Sequence, residues 1–173
     1  IPVELTVLPF SLPDIPAAAT MLYLGYGDIA KRYLGRWPAG AAEERWLSEV
    51  RDRHFMIAHR HKVALIDGDD GGTAWRSGRP SAEWIPRLDG SLFSAARGYA
   101  GPGEGVGNGV FSIGTYGSWD WGAGVKMQGY ADRWASWFEK HSPTTEYFLY
   151  LIDESSDYGR IQSWAATIAA APG

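Results

Sequence analysis

The chain has 173 residues, 45% of them hydrophobic and 21% charged, with a net charge of −4 at pH 7. That length suggests one domain, the apolar content is enough for a core, and the acidic balance argues against a nucleic-acid partner gripped by basic charge. Cysteine is absent, which excludes disulfides and thiolate metal sites, and no apolar run is long enough to cross a bilayer.

"VELTVLPF" (Val3–Phe10) alternates apolar and polar residues and reads as a half-exposed strand. The two prolines of "SLPDIP" then mark a linker. "TMLYLGYG" (Thr20–Gly27) is a short apolar run closed by glycines, as in a buried strand. In "AAEERWLSEVRDRHFMIAHRH", Leu47, Val50, His54 and Ile57 fall on one helical face, so an amphipathic helix is predicted. Val63–Ile66 is a second compact strand, with Asp67 at its carboxyl end. Between Thr73 and Asn108 a short helix is expected around Leu88–Tyr99, followed by a glycine-rich loop. "VFSIGTYG" (Val110–Gly117) is the third strand of this type, and "SWDWGAG" its loop. Tyr130, Trp134, Trp137 and Phe138 share a face of the next helix, which Pro143 stops. "EYFLYLID" is the fourth strand, with its apolar run Tyr147–Ile152 ending at Asp153 and Glu154. A last helix follows, with Ser156 as its expected N-cap and Asp157 suited to its dipole.

The rhythm is strand then helix, about four times over. Unbroken apolar strands alternating with amphipathic helices predict an α/β fold, with a parallel sheet covered by helices. Polar, acidic and glycine residues gather after the strands, where such folds place their sites. A dinucleotide-binding sheet would show G-x-G-x-x-G after its first strand, and a P-loop would show G-x-x-x-x-G-K-[ST]; neither is present. No cofactor is therefore expected, and a barrel of the TIM type is favoured over a doubly wound sheet.

"IPVELTVLPFSLPDIP", "HRHKVAL" and "FLYLIDESSDYGRIQSWA" resemble the DUF4091 family, glycoside-hydrolase-like barrel domains. Leu12-Pro13, His59-Arg60 and Asp153-Glu154 match its short motifs, whereas Ser155 stands where the family has proline. The resemblance implies that residues 1–16 lead in from a preceding β domain and that 17–173 form the first half of a barrel. It also implies a secreted or surface protein, a carbohydrate partner, and the rest of a longer chain or a second chain to complete eight strands.

Glycoside hydrolysis ordinarily uses two carboxylates, about 5–5.5 Å apart for retention and about 6.5–9.5 Å apart for inversion. In many glycosidase barrels the general acid is a Glu just past the fourth strand, where Glu154 stands. Partial burial at the strand end is expected for it, with Asp153 orienting it. A nucleophile on a later strand would lie outside this chain. Asp67 could hydrogen-bond a sugar hydroxyl. Asp67, Asp69 and Asp70 lack the Glu at the twelfth position that a calcium-binding EF-hand needs, since Gly78 stands there. Tyr116, Trp119, Asp120 and Trp121 form a candidate sugar platform, with rings to stack and a carboxylate to accept hydroxyls, or else a loop pinned by its own aromatics. His59 and His61 precede the second strand, at the wrong rim for a metallohydrolase, and are read as structural. The reading is thus a glycan-acting or glycan-binding barrel module, with a non-catalytic structural, assembly or binding module as the alternative.

Overall fold

The computed structural model describes residues 2–11, 13–67, 75–114 and 125–170. Their elements run β1 (Met21–Leu24), α1 (Tyr26–Leu34), α2 (Ala41–Arg60), β2 (Ala64–Asp67), α3 (Ile85–Leu88), β3 (Val110–Ile113), α4 (Val125–His141), β4 (Glu146–Leu149) and α5 (Tyr158–Ala169). β1 pairs with β2 and β3 with β4, both parallel, with Met21 opposite Ala64 and Val110 opposite Glu146. Among the described residues the sheets are thus two short pairs, and they close no barrel. Asn108 spans the seam between the pairs: its Nδ2 donates to the carbonyls of Leu65 in β2 (2.9 Å) and Val110 in β3 (2.7 Å).

All four strands begin within a residue or two of their expected positions. Five other features differ from the sequence reading. The first is Val3–Phe10, which joins no ladder and is exposed, Val3 at 90%. An alternating pattern becomes a strand only where a partner supplies hydrogen bonds, and none of the described residues does. The second is α1, unannounced because Gly25 and Gly27 read as the close of the first apolar strand. It buries Tyr26, Ile29 and Ala30, and Gly35 at φ +72° closes it by donating its N–H to the Lys31 carbonyl. The third is the buried stripe of α2, which is Leu47, Val50, Arg51 and Phe55, while Ile57 is 56% exposed. The fourth is the helix expected over Leu88–Tyr99. It is instead α3, ending before Gly90 at φ +83°, and a single 3-10 turn at Ala95–Arg97. The fifth is the cap of the last helix, Asp157 rather than Ser156: the Asp157 Oδ1 accepts the Arg160 N–H at 2.9 Å, answering one of the unpaired donors of the first turn.

The core is aromatic. The Trp84 ring meets Phe55 and Phe111 edge-on, at 5.1 and 4.8 Å between centroids. Phe111 also packs against Trp134 and Phe138 of α4, all three fully buried. The i, i+4 spacing of Trp134 and Phe138 places both rings on the sheet-facing side of their helix. Trp84, Trp134 and Trp164 therefore serve the core, whereas Trp37 and Trp46 lie at the surface.

Candidate functional site

Asp153 and Glu154 are not at a strand tip. β4 ends at Leu149, and although Tyr150 N still donates to the Ile113 carbonyl at 3.0 Å, the chain then leaves the sheet. The two acids lie in the bend before α5. Asp153 is half-buried, and its Oδ1 accepts the Tyr150 hydroxyl at 3.0 Å. Tyr150 also shares a side-chain hydrogen bond with Tyr23 of β1, which is 39% exposed. That bond, then burial, then the bond to Asp153 hold the Tyr150 phenol well above its usual range. The result is a Tyr23–Tyr150–Asp153 chain linking the carboxyl ends of β1 and β4. Glu154 beside it is exposed, so the expected partial burial is absent, and its φ of +45° is a conformation that non-glycine residues rarely adopt. Neither tyrosine was singled out in the sequence. Each looks like an ordinary strand residue until β1 and β4 are brought together.

Asp67 ends β2 as expected but is only 1% exposed, and its charge acts on the buried Tyr26 phenol. It is placed to tune this interior rather than to meet a sugar from solvent. Tyr26 is buried as well, and burial drives its phenol strongly upward, against the lowering effect of Arg87. Tyr116, Trp119, Asp120 and Trp121 lie outside the described residues, as do Asp69 and Asp70.

A cleft of about 180 Å³ opens at the other rim, where the strands begin, lined by Asp14, His59, Lys62, Asn108 and Glu146 among others. His59 sits in the last turn of α2, not on a strand, and stacks on Phe93 at 3.8 Å. Its Nε2 lies 3.0 Å from the Gly103 carbonyl, which can only accept, so that nitrogen carries the proton. The ring is a packing element, and among the described residues no cluster of His, Asp and Glu could hold a metal ion.

This environment sets an acid response. Burial pushes His59 below the ordinary imidazole range, more than the Gly103 bond raises it. A depressed folded pKa means the unfolded chain takes the proton first, so the contribution is full above about pH 6.5 and declines below it. Glu83 acts next. Burial would raise it, but the bonds and charges of Arg51 and Arg87 hold it below the usual carboxylate range, so its contribution is lost as pH falls below about 4.3. Urea midpoints followed by circular dichroism are expected to decline between pH 7 and 5, and His59→Phe is expected to flatten that decline. An equal decline in the variant would remove His59 as its source.

No family model, no curated protein and no solved structure matches this chain.

Proposed function

We propose that the chain forms the first half of a (β/α)8-type barrel and binds glycans at the rim where its strands end. The Tyr23–Tyr150–Asp153 chain carries this reading: two phenols and a carboxylate, partly exposed and hydrogen-bonded, offer both ring faces and polar groups to a hydroxyl-rich ligand. Parallel pairing, with β2 beside β3 and helices in the connections, supports strands placed in chain order, as in such barrels. The outer strands support a missing half. Met21 and Leu22 of β1 and Tyr147 of β4 are exposed, and a concavity of about 400 Å³ lined by Met21, Tyr147 and Phe148 among others is largely apolar. Raw parallel edges of this kind call for partner strands, from more of the same polypeptide or from a second chain. The DUF4091 resemblance agrees with this architecture and with a location outside the cell.

Binding is favoured over hydrolysis, because Asp153 is engaged by Tyr150 and Glu154 stands in the open. One observation favours hydrolysis as a second reading: strained non-glycine backbone, as at Glu154, concentrates at functional sites. Titration of the chain with a panel of neutral oligosaccharides, followed by NMR, tests both. Binding is expected to weaken about 10-fold in Tyr150→Phe, the effect of one lost hydrogen bond to a charged group, with the circular dichroism unchanged. Binding indifferent to Tyr150→Phe, or no glycan bound by the wild type, overturns the reading. Turnover abolished by Glu154→Gln would replace it with the hydrolytic one.

A further inference from the structure

Away from the rim, the turn after Trp75–Ser77 lies against α4 and borders a shallow, open cleft of about 340 Å³. Arg79 of the turn and Arg133, Ser136, Trp137, Lys140 and His141 of α4 line it. Positions 133, 136, 137, 140 and 141 recur at helical spacing, so one stripe of α4 faces the cleft. Gly78 makes the close approach: at φ +67°, a Cβ there would stand 2.6 Å from the Arg133 Cβ.

Charge is the unusual feature. The protein is acidic overall, yet this cleft gathers two arginines and a lysine, all exposed. Among the described residues none of the three forms an ion pair, although other arginines of the chain are well paired. Arg133 instead lies over the Tyr130 ring, at 4.4 Å. The one acid in the lining, Asp132, has its Oδ1 shut off from solvent and without a hydrogen-bond partner, so that atom is no contact for a ligand. Trp137 is half-buried against the core, stacks with His141 at 5.1 Å, and lines the cleft beside the cations.

We propose that this cleft is a second ligand site, for a saccharide carrying a sulfate or carboxylate group. Arg79, Arg133 and Lys140 take the oxyanion by charge-assisted hydrogen bonds, and the sugar ring lies along Trp137. The small volume suits one or two rings. The net negative charge of the whole molecule disfavours a long uniform polyanion such as nucleic acid. The proposal stands apart from the rim, so either site can fail alone.

Calorimetric titration of the chain with a sulfated disaccharide, its unsulfated parent, inorganic sulfate and a single-stranded oligonucleotide tests it. The sulfated disaccharide is expected to bind, more weakly as salt rises, with inorganic sulfate weaker and the unsulfated parent at least 10-fold weaker. Arg79→Gln and Arg133→Gln, both at exposed positions, are each expected to lower its affinity about 10-fold or more, the effect of one charge-assisted hydrogen bond. Tyr150→Phe at the rim should leave it unchanged. No binding of the sulfated disaccharide, equal binding of its parent, or indifference to both arginine variants overturns the site. Tighter binding of the oligonucleotide overturns the saccharide assignment.

Discussion

Arg87→Ala is expected to destabilise the fold by about 3–5 kcal/mol, the range for breaking a buried ion pair from one side. Arg87 is fully buried. Its Nε and Nη2 donate to Asp52 Oδ1 at 3.1 and 2.9 Å, its Nη1 donates to the Tyr26 hydroxyl at 2.8 Å, and Nη2 also meets Glu83. The guanidinium lies 4.1 Å above the Phe55 ring. Alanine would remove all of these contacts at once. Asp52 would lose its hydrogen-bonded countercharge, the buried Tyr26 hydroxyl would lose its donor, and a cavity would open beside Phe55 and Trp84. Glu83 would keep Arg51, whose Nε donates to it at 2.7 Å, so the network would be cut rather than erased. Arg87→Lys keeps the charge but not the planar fork, and is expected to fall between wild type and alanine. Urea denaturation measures this; a loss under about 1 kcal/mol for the alanine variant would mean that water or neighbouring groups replace the lost partners.

Gly107→Ala is expected to cost about 3 kcal/mol, the upper part of the usual range for overpacking. A Cβ at Gly107 would stand 1.9 Å from the Leu88 carbonyl oxygen. That is a backbone atom, so no side-chain rotation relieves the contact. The loop would have to move, and Asn108 would move with it. Asn108 N donates to the Arg87 carbonyl at 2.7 Å, its own carbonyl accepts the Thr145 hydroxyl at 3.0 Å, and its amide bridges β2 to β3. The substitution therefore reaches the seam between the two strand pairs. Gly109→Ala is the control, because nothing lies within 4 Å of its would-be Cβ. It should change the urea midpoint little, and equal losses for the two variants would refute the steric account.

Hydrophobic patterning located β1 to β4 and the helices α2, α4 and α5, because each pattern is local, carried by residues a few positions apart. The same pattern misread the face of α2. It counted apolar residues, and Arg51 is buried there only because Glu44 and Glu83 satisfy its charge. At the rim, the position of Asp153 and Glu154 after an apolar run was legible. Their setting was not, since Asp153 depends on a tyrosine that is itself held from β1.

What the sequence determined by itself is thus the order of strands and helices and the apolar faces they must bury, information carried within a few residues. Only the tertiary structure decided which polar groups are interior and which remain open to a ligand. The Arg87 guanidinium meets Tyr26 from 61 positions away, and the Asn108 amide meets Leu65 from 43. Burying a charge or an amide is tolerable only when its partners arrive with it, and partners that distant are brought together by the fold, not by any local pattern.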